Sequence, residues 1–363
     1  MHLAESLSGA VAGFSRWKVR SHRVPGPRQD PDGFAAALGE IVAREGIDRL
    51  IPTCEEVFWV ARTPSLPALL ETRARLARVH HKGRFVRWAQ EVGLAVPETR
   101  LAEDRDQLAA AIGALGGPER VVVKPAWSRF ATNAHVQPDA QTLAGIAPTV
   151  DDPWVVQAFV PGPIACTWGV AHGGRLTVHT AYRAAFTAGA GSSVHFEWLD
   201  DPQILDWVRA FAAGTGWTGQ LAFDFVLTGA GPVAIECNPR LTSGVHLLRD
   251  GRALLAALTD PEAELVTPAA GASAQVMAGM LLYGLPRAAR RGEMGAWWRA
   301  FRSAREVSWD RRDPLPFVLQ PLAIVGVFAR AARVGEGLLD ATTWDIRWNG
   351  EGEGGEGESG GGR

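Results

Sequence analysis

Two short stretches in the middle of the chain decide its fold. Residues 222–226 read Ala-Phe-Asp-Phe-Val, and residues 235–240 read Ile-Glu-Cys-Asn-Pro-Arg. Apolar and polar residues alternate in both, and the glycine-rich segment 228–232 lies between them, which predicts a β-hairpin. Because successive side chains point to opposite faces of a strand, Glu236 and Asn238 share one face.

The register of this hairpin determines what that face carries. Pro232 cannot donate to a strand ladder, so we place it in the turn and pair Leu227 with Val233. This register sets Asp224 opposite Glu236 and brings three oxygen ligands onto one face, which suits Mg²⁺ shared with substrate phosphates. A turn shorter by one residue would separate the ligands. Taken alone, the hairpin equally fits a solvated face that carries ordinary surface acids.

Length and composition indicate a folded protein. The chain has 363 residues, of which 47% are hydrophobic and 21% charged, and its net charge is −2. That is enough for one large domain or two to three small ones. The small net charge argues against nucleic acid or an anionic membrane as a partner. The most apolar late stretch, residues 317–332, is interrupted by Gln320 and Pro321 and falls short of a membrane span.

The termini and the cysteines bear on localisation. The start lacks a basic region and carries Glu5, so we expect no secretory signal. Cys54, Cys166 and Cys237 are far apart in sequence, which argues against a disulfide framework or a thiolate metal site. The sequence therefore predicts a cytoplasmic protein.

Lysine is rare in this chain. Lys18, Lys82 and Lys124 stand against 34 arginines. The two side chains differ in hydration and donor geometry, so a lysine that persists in such a composition is a candidate for a chemical role.

The periodicity predicts a mixed α/β protein. A helix over 34–45 ends at Gly46, and Asp104 is the candidate N-cap of another helix. Before residue 34 we expect only an Arg/Pro-rich loop, without the opening strand and glycine-rich turn of a complete domain, as in a truncated layer. The expected helices are 34–45, 82–91, 105–115 and 203–213, with a mostly helical region over 251–345. The expected strands are 49–52, 97–101, 121–125, 154–160, 166–172, 176–183, 221–227 and 233–238.

The chain resembles the ATP-grasp superfamily over roughly residues 48–250, especially the carbamoyl-phosphate synthetase large-chain and biotin carboxylase branches. Glu-x-Asn-Pro-Arg at the end of a strand is the most specific element. The resemblance implies that Asp224, Glu236 and Asn238 hold one or two Mg²⁺ ions, with Mn²⁺ as a substitute. It places Arg240 near the transferred phosphate or acyl phosphate.

The resemblance also implies an ATP site. Lys82 and Lys124 fall where the family uses basic residues on ATP phosphates. Residues 155–162 resemble the hinge that binds adenine, with Gln157 and the backbone N–H of Val160 at matching positions. A plain buried strand followed by a Pro-Gly turn would have the same composition.

Two departures from the family pattern concern nucleotide contacts. Residues 127–133 contain no glycine where relatives have a glycine-rich loop on the β- and γ-phosphates. We expect Arg129 and the hydroxyls of Ser128 and Thr132 to replace part of that loop. Ile164 and Ala165 stand near the position of a ribose-binding glutamate.

Other polar residues carry weaker signals. Glu55 or Glu56 could contact substrate from a strand's carboxyl end, although solvated loop acids are commoner. His246 could orient an acceptor group, although a structural histidine is commoner. Residues 189–193 are a candidate mobile loop, and the segments 313–314 and 344–348 are candidates for docking the last region on the core.

The predicted fold is thus an α+β ATP-grasp fold in which two subdomains clasp ATP. The predicted divisions are a partial α/β layer over 1–78, subdomain A over 79–153, subdomain B with the metal site over 154–250, a mostly helical region over 251–348 and a disordered Gly/Glu tail over 349–363. The implied activity is an ATP- and Mg²⁺-dependent ligase that activates a small carboxylate as an acyl phosphate and joins it to an amine. A non-catalytic nucleotide-binding protein and an enzyme with a bicarbonate or ring-amine acceptor remain alternatives.

Overall fold

A computed structural model describes residues 1–7, 9–128, 133–188 and 192–351. The strands in this part of the chain are β1 His2–Glu5, β2 Arg20–Arg23, β3 Thr99–Ala102, β4 Val121–Pro125, β5 His135–Val136, β6 Trp154–Ala158, β7 Ile164–His172, β8 Arg175–Ala188, β9 Ser192–Trp198, β10 Gly219–Thr228, β11 Gly231–Asn238, β12 Ser273–Gln275 and β13 Arg305–Glu306.

The helices follow the same chain order. They are α1 Pro31–Glu45, α2 Glu56–Val60, α3 Arg73–His80, α4 Lys82–Glu91, α5 Arg105–Ala114, α6 Ala140–Gly145, α7 Pro202–Thr215, α8 Gly251–Thr259, α9 Met277–Gly279, α10 Leu285–Arg291, α11 Met294–Ser303, α12 Leu315–Val318, α13 Gln320–Val334 and α14 Leu338–Ala341. Short 3₁₀ turns lie at Val11–Phe14, Pro118–Arg120 and Ser243–Leu247, and a π-turn lies at Met280–Gly284. None of the helices in the described ranges has both the length and the apolar content needed to cross a bilayer.

Two sheets carry the central part of the chain. The smaller has the order β3-β6-β4-β5, and the larger has the order β11-β10-β7-β8-β9-β12-β13. Their pairs are antiparallel except β12 with β13. The predicted mixed α/β class is confirmed.

Local capping explains where several predicted helices begin and end. Asp104 accepts the N–H of Gln107, so α5 starts where its N-cap was predicted. Gly46 adopts φ 62° and ends α1, because a left-handed C-cap favours glycine. The α4 helix begins at Lys82, and the imidazole of His81 accepts the N–H of Arg84.

Two expectations about the N-terminal layer are wrong. Strands β1 and β2 form a parallel pair before residue 34, and Gly9 adopts φ 77° in the turn after β1. These four-residue strands are rich in polar side chains, so they lack the apolar pattern that marks a buried parallel strand. Residues 49–52 form only an isolated bridge between Leu50 and Ala68 rather than a strand.

The hydrophobic core explains why one face of β10 is free for chemistry. Phe223 and Phe225 are buried completely against the aromatic rings of α7, with Trp207 centroids 5.0 and 5.1 Å away. Phe211 stacks on Trp207 at 5.7 Å. Since strand side chains alternate, Asp224 points away from this core and toward the opposite face.

The segments predicted to dock the last region on the core contact the N-terminal layer. The N–H of Arg28 donates to the Asp345 carbonyl at 3.0 Å, and Nε1 of Trp59 donates to the Ile346 carbonyl at 2.9 Å. A second anchor is Asp313, whose Oδ1 accepts the N–H of Arg16 at 3.0 Å. Residues 313 and 344–348 therefore hold the last region against the start of the chain.

Candidate active site

The predicted metal ligands lie together on β10 and β11. Asp224 is directly opposite Glu236, and Asn238 pairs with Ala222 further along the same hairpin. Nδ2 of Asn238 donates to Oε1 of Glu236 at 3.3 Å. Three oxygen-bearing side chains therefore face one side of the hairpin.

A β-bulge, not the predicted register, produces this arrangement. Near the turn Leu227 pairs with Pro232, one residue away from the predicted partner Val233. The register then shifts between Asp224 and Phe225, which leaves Ile235 as the extra residue. The predicted Leu227–Val233 pair is wrong. The predicted pairing of Asp224 with Glu236 is nevertheless present, because the bulge shifts the register back by one residue.

The bulge also exposes a carbonyl that fixes two predicted cofactor residues. Nζ of Lys124 donates to the Ile235 carbonyl at 3.3 Å, and Nε2 of Gln157 donates to the same oxygen at 3.4 Å. Gln157 also donates to Oγ1 of Thr99 at 3.0 Å. These bonds join the smaller sheet to the acid pair, because Lys124 and Gln157 lie on adjacent strands β4 and β6.

Both candidate phosphate-binding lysines reach this region. Nζ of Lys124 is 3.9 Å from Oε2 of Glu236, and only 5% of the Lys124 residue surface is exposed. Nζ of Lys82 donates to the carbonyl and to the hydroxyl of Ser128, both at 3.0 Å. The structure thus places Lys82 and Ser128 in contact, beside the strand end that carries Lys124.

The acids and lysines perturb one another's pKa values. Burial, and then repulsion by Glu236, raise the pKa of Asp224 to about 7. Burial alone would raise the pKa of Glu236 as well, but the charges of Lys82 and Lys124 hold it below its usual value. Burial lowers the pKa of the Lys124 ammonium, against the opposing attraction of both carboxylates. Ionising both Asp224 and Glu236 in these surroundings is unfavourable. A bound cation would stabilise the two carboxylates in their charged form.

Arg240 lies at the edge of the same cluster. Its Nη1 donates to the Leu241 carbonyl at 3.4 Å, while its buried Nε–H has no hydrogen-bond partner in the described part of the chain. Burial would lower the pKa of Arg240, but nearby acidic groups raise it, namely Cys54, Glu55, Glu236 and Asp224. A guanidinium whose buried Nε–H is free to donate suits an anionic ligand.

Glu55 and Glu56 are hydrogen-bonded within the protein rather than solvated. Glu55 is fully buried, and its Oε2 accepts the backbone N–H of Trp348 at 3.1 Å. Glu56 accepts the amides of Thr53 and Cys54 at 2.6 and 3.0 Å and so closes its own turn. Glu55 therefore links the docked C-terminal segment to the surroundings of Arg240, a role that local sequence could not indicate.

Sequence reasoning missed two side chains beside Asp224. Cys166 of β7 pairs with Asp224 on one side and with Tyr182 of β8 on the other. Burial and the adjacent Asp224 charge raise the pKa of the Cys166 thiol well above its usual value, so the thiol stays protonated beside Asp224. Cys166 is sequence-remote from the hairpin, and only the order of strands in the sheet reveals it.

The hinge residues pack against the far end of β10. The Leu227 N–H donates to the Pro163 carbonyl at 2.9 Å. Gly162 has φ 154°, and a Cβ there would lie 2.3 Å from the Leu227 carbonyl oxygen, so the turn requires glycine. Val160 is half-buried beside this turn, and its N–H has no hydrogen-bond partner among the described residues.

His246 has a structural setting. Its ring stacks on Phe196 at a centroid distance of 6.0 Å, and its carbonyl accepts Nη2 of Arg305 at 2.5 Å. Burial, followed by the charge of Arg305, lowers the pKa of His246 to about 4. The imidazole is therefore neutral near pH 7.

Comparisons with known proteins place this geometry in a known fold. No protein family model and no curated protein matches the chain. A carboxyaminoimidazole ribonucleotide synthase from Aspergillus clavatus, complexed with ATP, is similar over 76% of this chain and 74% of its own, with 12% identity and a TM-score of 0.57. The N5-carboxyaminoimidazole ribonucleotide synthetase from Thermus thermophilus is similar over 68% and 66%, with 16% identity and a TM-score of 0.52.

A third similar structure contains magnesium together with its nucleotide. The biotin carboxylase domain of 2-oxoglutarate carboxylase from Hydrogenobacter thermophilus, in complex with ADP, magnesium and bicarbonate, is similar over 67% of this chain and 58% of its own, with 12% identity and a TM-score of 0.52. The chain has the ATP-grasp fold. It spans less than two thirds of the length of the Thermus and Hydrogenobacter structures.

The sequence departs from the ATP-grasp pattern in the glycine-free segment 127–133 and near the expected ribose position. Arg129 and Thr132 of the glycine-free loop lie outside the described residues, as does most of the predicted mobile loop over 189–193. Near the expected ribose position, Ala165 is fully buried and the Ile164 side chain is 49% exposed.

Proposed function

We propose that this protein is an ATP-dependent ligase that activates a carboxylate and joins it to an amine. The observation that carries the proposal is the convergence of Asp224, Glu236 and Asn238 with buried Lys124 on one face of the β10–β11 hairpin. A buried cluster of both charge signs is costly to form. It is typical of a site where a phosphorylated ligand supplies the missing interactions.

The donor set fits Mg²⁺. Two carboxylates and an amide oxygen are hard oxygen ligands. Burial, and then repulsion by Glu236, raise the pKa of Asp224, and a bound cation would offset both effects. In this proposal Asp224, Glu236 and Asn238 hold the ion. When bound, Mg²⁺ would neutralise charge on the triphosphate.

The side chains of the protein would position and neutralise rather than react. Lys82 and Lys124 would bind phosphate oxygens, and Arg240 would bind the transferred phosphoryl group or the acyl phosphate. A carboxylate oxygen of the substrate attacks the γ-phosphorus of ATP as the bond to ADP breaks. The amine then attacks the acyl carbon, loses a proton and displaces inorganic phosphate. Alignment and charge stabilisation are sufficient for such a transfer.

The nucleotide base would lie at the hinge. Gln157 is buried and fixed by Thr99 and by the Ile235 carbonyl, while the Val160 N–H has no partner among the described residues. We assign the adenine edge to the backbone N–H of Val160, since the N–H groups of Ala158 and Phe159 already donate to carbonyls of the protein. Gly162 would then keep this segment pressed against β10.

ADP release tests the proposal. The purified chain is incubated with ATP, Mg²⁺ and pools of amino acids and small carboxylic acids, with Glu236→Gln as the matched control. Release above the control level, dependent on both an acid and an amine, is the expected result. Nucleotide binding without release from any pool would contradict the ligase and favour a non-catalytic nucleotide-binding protein.

A further inference from the structure

Three side chains with metal-binding atoms meet in the N-terminal layer. His2 belongs to β1, His22 belongs to β2, and Glu45 is the last residue of α1. Their ligand atoms all lie within 4.8 Å of one another, and among the described residues no other three histidine, cysteine or acidic side chains come so close together. We call this group the His-His-Glu cluster.

Strand pairing explains why the two histidines meet. In the parallel pair, Ala4 of β1 is opposite His22 of β2, and His2 is opposite Arg20. Because side chains two residues apart in a strand share a face, His2 and His22 lie on the same face of the pair. Nδ1 of His2 is 3.0 Å from Nε2 of His22, and the two ring planes differ by 11°. The two strands therefore bring two ligand nitrogens together.

Glu45 adds an oxygen to these nitrogens. Its Oε2 is 3.9 Å from Nδ1 of His2. Its Oε1 accepts Nη1 of Arg20 at 2.9 Å and Nε of Arg44 at 3.1 Å, so hydrogen bonds hold one carboxylate oxygen while the other lies near His2. Carboxylates that bind metals are commonly fixed by such hydrogen bonds. Glu45 also lies at the C-terminus of α1, where the helix dipole favours a cation.

The spacing of the ligand atoms fits a tetrahedral zinc ion. Bonds of about 2.0 to 2.2 Å from zinc to nitrogen or oxygen place two tetrahedral ligands about 3.4 Å apart. The nitrogen–nitrogen distance of 3.0 Å and the nitrogen–oxygen distance of 3.9 Å lie on either side of that value. Small side-chain shifts would therefore be sufficient. Two imidazoles and a carboxylate are also ligands that zinc prefers, whereas Mg²⁺ prefers oxygen ligands alone.

Arg44 occupies part of this cluster. Its Nη2 lies 3.3 Å from Nδ1 of His22. Because a guanidinium only donates hydrogen bonds, this contact places the His22 proton on Nε2, the nitrogen nearest His2. Zinc binding at Nε2 would therefore move that proton to Nδ1 and displace Arg44. The Arg44 side chain is 56% exposed, so it can withdraw into solvent.

We propose that His2, His22 and Glu45 form a zinc site, and that Zn²⁺ and the Arg44 side chain compete for it. Three protein ligands leave the fourth tetrahedral position to water. Bound zinc would link β1, β2 and α1, and so stabilise a layer whose two strands are only four residues long. The site shares no residue with the proposed catalytic centre, and the proposal is independent of the ligase assignment.

Isothermal titration of the untagged chain with Zn²⁺ tests this assignment. We expect the wild type to bind one more zinc ion than either His2→Gln or His22→Gln. His135→Gln, which changes a half-buried histidine of β5, is the matched control and should bind as the wild type does. Saturating Mg²⁺ should leave the additional zinc ion bound, and so should Asp224→Asn, because neither affects the imidazole ligands.

A variant at Arg44 tests the competition. Arg44→Gln should tighten zinc binding by roughly tenfold, because it removes a competing cation and supplies an amide oxygen that can accept the Nδ1–H of His22. Arg209→Gln, which changes an exposed arginine of α7, should leave zinc binding unchanged. Weaker zinc binding by Arg44→Gln than by the wild type would overturn the proposed geometry.

Cobalt substitution identifies the ligands. The difference spectrum between the wild type and His2→Gln, both loaded with Co²⁺, should contain visible d–d bands and no thiolate charge-transfer band, because the proposed ligands contain no sulfur. His2 is the first residue of β1, and His2→Gln should keep the circular dichroism spectrum of the wild type. Equal zinc stoichiometry in the wild type and both histidine variants would overturn the site, and so would a thiolate band in the difference spectrum. Neither result bears on ADP release, so the ligase assignment is tested separately.

Discussion

The Asp224→Asn variant should be more stable than the wild type when nucleotide and metal are absent. Asp224 is half-buried opposite Glu236, and desolvation and that neighbour raise its pKa to about 7. When folding raises the pKa of an acid, ionisation of that acid lowers the free energy of unfolding. The wild type therefore loses stability as the pH rises from the unfolded pKa of 3.8 to about 7. Above that pH the loss is complete.

The size of the effect follows from the pKa shift. One unit corresponds to about 1.4 kcal/mol, so the shift from 3.8 to about 7 sets an upper limit of about 4 kcal/mol. Asparagine keeps the shape of the side chain and retains a polar group beside Cys166. We expect a gain in the free energy of unfolding of about 1 to 3 kcal/mol at pH 8 and little difference at pH 4.

Urea unfolding in EDTA at pH 4, 6 and 8 measures this difference. Asp206→Asn, which changes an exposed acid on α7, should leave stability almost unaltered at each pH. In a parallel series at pH 8 without EDTA, ADP with Mg²⁺ should stabilise the wild type and fail to stabilise Asp224→Asn. If Asp224→Asn proved less stable than the wild type at pH 8, the carboxylate would be a structural partner and the reasoning would be wrong.

Three further changes test other parts of the account. Glu236→Gln should slow ADP formation by about 10²-fold or more while leaving the circular dichroism spectrum unchanged; wild-type turnover would contradict the metal assignment. Gly162→Ala should destabilise the chain by about 1 to 3 kcal/mol in urea unfolding, because its Cβ would lie 2.3 Å from the Leu227 carbonyl oxygen; an unchanged midpoint would show that the hinge tolerates a side chain. Trp348→Ala should cost about 3 to 5 kcal/mol, since this fully buried ring stacks on Phe58 at 4.5 Å. The exposed Trp298→Ala is its control, and equal effects on thermal unfolding would refute the docking of the C-terminal segment.

The acid pair could be predicted from sequence, but the reason for it could not. Alternation along β10 and β11 was sufficient to place Glu236 and Asn238 on one face. Placing Asp224 opposite Glu236 requires a particular pairing of β10 with β11. The turn near Pro232 alone does not produce that pairing. A bulge at Ile235 compensates for the shorter turn, and bulges depend on tertiary contacts that a local pattern does not encode. Here those contacts are the bonds from Lys124 and Gln157 to the bulged carbonyl.

Long-range contacts explain what else was missed. Strands β1 and β2 are too short and polar to show a strand period, so pairing with each other determines them. Glu55 looked like a solvated loop acid because its partner, the Trp348 amide, lies almost 300 residues away. By contrast, α4 and α5 were predicted well, since their caps and apolar spacing are local.

The most direct test of the central claim is the anomalous diffraction of a crystal grown with ADP and Mn²⁺. The account predicts a manganese peak bound by Asp224, Glu236 and Asn238, with the diphosphate in contact with Lys82 and Lys124. A peak bound by other side chains, or a diphosphate remote from both lysines, would contradict it.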